Sequence, residues 1–173
     1  MTIHLRREVP EVDVPGEFMK LALSHLEAAE KLNSLVSRRA WASNYYRGQV
    51  VLLLAFHSVE LFLKGCILRL SPGTKIEGHS LAGLTKKLKT LAPDIEFAPP
   101  FTVDALPPYP ELVRRAEKQE RQFHEVLRYP IDKTGRPWPG VRGFSASSCQ
   151  LMLARVRTDC ERLHVRVFET KDG

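Results

Sequence analysis

From Val50 to Leu70 the chain is apolar at every position except His57, Ser58, Glu60, Lys64, Gly65 and Arg69. At about 100° per residue, His57, Glu60 and Lys64 fall on one narrow helical stripe with Tyr46, Val50 and Leu53. Every other face is Leu, Val, Ile or Phe. A helix that is apolar nearly all round belongs in a core, so this segment, read as a helix from about Ser43 to the Ser71-Pro72-Gly73 breaker, is the central element of the fold.

Four further helices are predicted around it. The first spans about Gly16 to Val36, with Phe18, Ala22, His25, Ala29, Leu32 and Val36 recurring at alternating steps of four and three. Ser80 is placed to cap a short helix over Leu81–Leu91, with Lys86, Lys87 and Lys89 near its negative end. A Pro-rich connector from Pro93 to Pro110 carries Phe97, Phe101 and Leu106, which give it something to bury. Another helix starts near Pro110, a good first-turn residue, and ends before Pro130. After the Pro/Gly loop of Pro130 to Gly143, Ser145 or Ser147 caps a last helix reaching about Phe168. Its core stripe is Cys149, Leu153, Val156, Cys160, Leu163 and Val167, opposite Arg155, Asp159, Arg162 and Arg166. Only Val165 to Phe168 is ambiguous with strand. The expected fold is all-α, an up-and-down antiparallel bundle of four to five helices. It comprises an N-terminal arm over 1–15, one domain over 16–168 and a tail over 169–173.

Composition fits one domain with a sizeable core: 173 residues, 43% hydrophobic and 27% charged. A membrane span over Val50 to Ile67 is disfavoured, because Glu60 and Lys64 near a bilayer centre would each cost about 2.5 to 3.5 kcal/mol, offsetting the apolar residues. With a polar Met1 to Arg7 and no apolar leader, the expected location is the cytoplasm, with no membrane partner. Cys66, Cys149 and Cys160 lack metal-ligand or redox spacing and read as reduced core thiols. The six histidines are scattered, with no HxH, HExxH or Cys-His cluster, so neither a metal nor a cofactor is expected. The net charge of +6 permits a polyanionic partner, although acidic residues are interleaved with the basic ones.

AFHSVELFLKGCIL on the central helix, then GHSLAGLTKKL, then a later helix ending in LRYP and a polar IDKTG loop, is similar to the HEPN superfamily (higher eukaryotes and prokaryotes nucleotide-binding). The similarity covers roughly Tyr45 to Phe168. It implies an up-and-down helical bundle, usually a homodimer. Such proteins act as metal-independent endoribonucleases or as RNA- or nucleotide-binding partners in toxin–antitoxin, defence or RNA-processing systems, often beside a cognate nucleotidyltransferase or antitoxin.

The family's catalytic signature is an Arg, usually followed by a polar residue, placed four to six residues before a His. Arg stabilises phosphate charge, and His moves a proton to or from a 2′-hydroxyl. Arg121 and His124 have two intervening residues and Arg115 and His124 have eight; Arg157 and His164 have six, with Thr158 after the Arg, but lie on the last helix. That departure makes a non-catalytic module, binding RNA, a nucleotide or a protein partner, the expected function. The alternative is an endoribonuclease using Arg121 with His124, or Arg157 with His164.

Four further groups are candidates on chemistry alone. Arg114, Arg121 and Arg128 recur at heptad spacing with His124 beside them, a phosphate-facing rail or else a solvated face laced with Glu117 and Glu125. Tyr129 follows Arg128 at the helix end, where ring and guanidinium can clamp the next loop or meet a base. Trp138, between Pro137 and Pro139, can stack on a base or plug into the bundle. His57, Glu60 and Lys64 read as a polar seam, with Glu60 and Lys64 in the favourable i, i+4 orientation for an ion pair.

Overall fold

The computed structural model describes residues 12–37, 45–101, 111, 114, 118, 122–138 and 144–169. Among them the regular structure is helical: α1 (Val14–Ser37), α2 (Tyr45–Leu70), α3 (Leu81–Leu91), α4 (Ala146–His164) and a π-helical turn over Val165–Glu169. The remaining described residues contain one isolated bridge, Ile131 with Pro137, and no strand. Between α3 and α4, residues 111, 114, 118 and 122–126 are helical, inside the span expected for the helix after Pro110.

α1 runs antiparallel to α2. Phe18 lies over Gly65, the Ser58 hydroxyl donates to the Ala22 carbonyl at 2.8 Å, and the rings of His25 and His57 meet edge to face 4.9 Å apart. Close approach is possible because Gly65 has no side chain: a Cβ there would stand 3.2 Å from both Phe18 Cβ and the Pro15 carbonyl oxygen. α4 packs along the other side of α1, also antiparallel. Asn33 donates to the Ala146 carbonyl at 2.9 Å, and Arg157 pairs with Glu30. Phe144, ahead of α4, occupies the space over Gly48 of α2.

α2 is the buried centre, with Val51, Ala55, Phe56, Val59, Phe62, Leu63, Cys66 and Ile67 all inaccessible or nearly so. It is also the one described helix long and apolar enough to cross a membrane, and 67% of its most apolar window is buried against the rest of the chain. The last-helix stripe is as expected, from Cys149 to Val167, each residue buried. Ser80 caps α3 through its hydroxyl to Gly83 N, and Ser145 caps α4 by accepting from Ser148 N.

One expectation is corrected. The buried line of α1 is Met19, Ala22, Leu26, Ala29, Asn33 and Val36, so Phe18, His25 and Leu32 flank it instead of forming it. Ala22, Ala29 and Val36 of the expected stripe are in that line; α1 packs against both α2 and α4, and Asn33 enters the line by its bond to the Ala146 carbonyl at the start of α4. The last helix reaches Phe168 as expected, its final stretch π-helical; the wider turn keeps Val167 buried below Leu163 and stacks Phe168 on His164, with centroids 5.3 Å apart. The three cysteines are free and buried, and burial pushes their thiols up, Cys149 to about 11 and Cys160 to about 12.

Candidate functional site: a buried glutamate ringed by histidines

Glu60 lies in the middle of α2 and is only 2% exposed. A carboxylate that deep persists only if paired, and three side chains supply the pairing. Lys64, one turn on, donates to Oε1 at 2.7 Å, as the i, i+4 spacing predicts. His79 meets the same oxygen through Nδ1 at 2.9 Å. His57 Nδ1 stands 3.5 Å from Oε2, at the outer edge of hydrogen-bonding reach, and acts there chiefly through its dipole or charge. Burial by itself would push the Glu60 carboxyl up; the contacts with His57, Lys64 and His79 outweigh it and hold the group at about 2. Glu60 is therefore an ionised carboxylate inside an apolar helix.

The segment between α2 and α3 is built to deliver His79. Ser71 and Thr74 share a hydroxyl hydrogen bond of 2.8 Å, Ile76 is partly buried against the core, and Lys87 of α3 donates to the Lys75 carbonyl at 3.2 Å. Gly78 then takes φ +80°, a conformation that costs an L-residue about 1 kcal/mol or more, and turns the chain so that the next residue faces α2. The Ser80 cap fixes the far end. His79 is thus clamped at its Nδ1, while 45% of its side chain stays exposed.

His124 completes the group. Its ring stacks on that of His79 with centroids 4.8 Å apart and planes 24° apart. Residues 122–126 are held on α2 by Phe123, which stacks on Phe56 at 5.9 Å, by buried Leu127, and by Gln49, which donates to the Val126 carbonyl at 2.7 Å. Phe101 packs on both rings, at 5.8 and 5.4 Å, and these contacts hold it at φ +74°. With Phe123 facing the core, its neighbour His124 is carried to the rim, beside His79.

Two histidines, His57 and His79, therefore meet one carboxylate, and each carries a second ring against it, His25 on His57 and His124 on His79. The sequence reading had them scattered. The seam of His57, Glu60 and Lys64 was legible from helical spacing; His79 and His25 were missed as its partners. The GHS tripeptide ahead of the Ser80 cap was the available signal, because a cap fixes where a loop ends, but nothing local says which face of α2 that loop meets. No three of the described His, Cys, Asp and Glu side chains are arranged to share a metal ion.

The remaining candidates fall elsewhere. Arg128 and Tyr129 follow His124 at the end of the helical segment, where both of their amides donate to the Glu125 carbonyl; Arg128 is exposed, and Tyr129 is 58% exposed. Arg114 is exposed and helical, while Arg121 lies outside the described residues. Glu125 pairs at 2.9 Å with Lys133 of the following loop, a hydrogen bond that holds its carboxyl below the ordinary range. That loop closes on Asp132, which accepts from Thr134 and Arg136, with Gly135 at φ +77°. Trp138 is partly buried, with its indole nitrogen covered. Arg157 and His164 do not meet: Arg157 turns to Glu30 on α1, whereas His164 stacks on Phe168 and lies 3.5 Å from Glu169. Comparison with protein families, with curated proteins and with solved structures finds no match to this chain.

Proposed function

We propose that this chain is a HEPN-like helical module that binds single-stranded RNA across the face formed by His79, His124, Arg128 and Tyr129. The observation that carries this reading is the stacked His79–His124 pair, held at the surface by a carboxylate in the core. Two flat rings at the rim, followed within one turn by an exposed guanidinium and a phenol, supply what a single strand needs: stacking platforms for bases and a cation for phosphate. A net charge of +6 favours the encounter. The resemblance of the α2, GHS and LRYP segments to the HEPN superfamily points to the same class of ligand and to a cytoplasmic homodimer.

The test is fluorescence anisotropy with labelled single-stranded 2′-O-methyl RNA over a range of salt. Binding should weaken as salt rises, because each phosphate contact releases a counterion, and Arg128→Ala should flatten the slope by about 0.7. Tyr129→Ala should weaken binding by about 1 to 3 kcal/mol if its ring stacks on a base. Absence of binding, or binding indifferent to both substitutions, would remove RNA from this face and leave a protein partner as the occupant.

A further inference from the structure

We propose that the cleft between the C-terminal end of α1 and the N-terminal half of α4 binds a small aliphatic primary ammonium compound, with the side-chain oxygen of Asn33 as its central acceptor. The cleft shares no residue with the His79–His124 face, so it is independent of what binds there.

Helical period and antiparallel packing build the cleft. On α1, Glu30, Asn33, Ser34 and Ser37 recur at steps of three and four residues, which puts them on one face. α4 answers with Gln150, Leu153 and Ala154 at the same steps, and the space between the two sets is about 280 Å³. Leu153 and Asn33 are the buried members, 1% and 2% exposed, and form the floor. Ser34, Ser37, Gln150 and Ala154 are exposed and form the rim.

Asn33 is the one polar residue on the buried line of α1. The Ala146 carbonyl can only accept, so the amide nitrogen of Asn33 is the end that points to it, at 2.9 Å. That bond commits Oδ1 as an acceptor, and Oδ1 is buried with no donor. A buried polar atom without a partner is costly, whereas an apolar side chain of similar shape would fill the position without leaving one. An unmatched acceptor in the floor of a cleft calls for a ligand that brings a donor.

The surroundings select the charge of that donor. The last turn of α1 presents the negative end of the helix dipole and carries no basic residue to offset it. Ser37 gives its hydroxyl proton to the Ser34 carbonyl at 2.9 Å, which leaves lone pairs on its own oxygen. Each Glu30 oxygen accepts once from Arg157 and keeps a second lone pair. Glu161 lies 3.9 Å from the same guanidinium, so two carboxylates share one cation and negative charge is in excess. Lys31, also on α1, is taken by Glu27. A primary ammonium carries only donors, which matches the Asn33, Ser37 and Glu30 oxygens, while its methylene chain lies along Leu153 and Ala154. An anion would meet the wrong end of the dipole and the Glu30 carboxylate.

The experiment titrates the full, isotope-labelled chain with n-butylammonium and follows the side-chain amide signals by NMR, with n-butanol and butyltrimethylammonium in parallel. n-Butylammonium should bind with a Kd on the order of 1 mM or tighter and move the Asn33 and Gln150 side-chain amides. The alcohol lacks the charge and the quaternary ion lacks the N–H donors, so each should bind at least about tenfold more weakly. The net charge of +6 repels any cation, so a positive result cannot come from the overall field of the protein. Ala154→Leu fills the cleft from its exposed rim without disturbing the core and should abolish binding, and Glu30→Gln should weaken it about tenfold. Asn33→Leu should also abolish it; circular dichroism checks that variant, and the two rim substitutions decide the matter if it fails to fold. Asn33 signals that do not move would mean that water alone completes the group, which overturns the proposal. Equal binding of the alcohol would overturn the ammonium assignment, and binding that survives Ala154→Leu would put the amine elsewhere and overturn the site.

Discussion

Arg157 grips both carboxylate oxygens of Glu30, Nε to Oε1 at 2.8 Å and Nη2 to Oε2 at 2.7 Å, fastening α4 to α1 across 127 residues of sequence. The planar fork fits the carboxylate in a way an ammonium cannot. Each side chain is about a third exposed, so water screens much of the attraction. Arg157→Ala should cost about 1 kcal/mol in urea unfolding, and Arg157→Lys should recover less than half of it. A double-mutant cycle with Glu30→Gln that returned no coupling would show the pair to be incidental.

The state of Glu60 makes stability depend on pH in a stated direction. Its folded carboxyl titrates at about 2 against about 4.5 unfolded, a depressed value. The stabilisation is fully present above the unfolded value and is lost as pH falls through the folded one, between about pH 4.5 and 2. The difference corresponds to about 3 kcal/mol. Urea midpoints of wild type and Glu60→Gln should lie far apart at neutral pH and draw together across that window. A gap that is constant with pH would mean the carboxylate is not selectively stabilised.

Two glycines on α2 should differ in sensitivity. A Cβ at Gly48 would fall 2.2 Å from the Phe144 ring, and one at Gly65 would stand 3.2 Å from the Pro15 carbonyl oxygen. Gly48→Ala forces Phe144 out and should cost about 1 to 3 kcal/mol. Gly65→Ala gains roughly 1 kcal/mol of helix propensity against its tighter contact and should land nearer neutral. Thermal melts in the reverse order would place the close contact at the wrong end of α2.

Sedimentation should find a homodimer at tens of micromolar, an order of concentration at which even a modest association is populated. The proposal comes from the family resemblance, and exposed apolar side chains agree with it: Leu151 is 75%, Leu35 59% and Val50 46% exposed. A monomer throughout that range would withdraw it.

What was legible in the chain was what local physics controls. The ends of α3 and its Ser80 cap, the six-residue stripe of α4 and the Glu60–Lys64 pair all follow from helical period and from hydroxyls seeking orphan amides. α1 was right in type and at Ala22, Ala29 and Val36, but Met19, Leu26 and Asn33 replace Phe18, His25 and Leu32 in the buried line, because that line is set by two neighbours whose relative placement no single helix encodes. The histidine group was invisible for the same reason on a larger scale. His25 is close to His57, and His79 to His124, only after the helices pair. The stretch from Val165 is ambiguous with strand in sequence because Val165 and Val167 alternate with Arg166, but the stripe continuing from Leu163 to Val167 marks it as helical.

The pairing of Glu60 means that α2 alone carries only part of the site, His57, Glu60 and Lys64. His79 and the His124 ring stacked on it are delivered by other pieces of chain, and the loop holding His79 is bonded to the middle of the most buried helix. Proteolytic nicking, a swapped helix or a circularly permuted chain that leaves either of those pieces undocked should strip His79 or His124 from the site while the Glu60–Lys64 pair on α2 persists. The tautomer of His79, read by NMR, would then report the integrity of the whole bundle from a single ring at its rim.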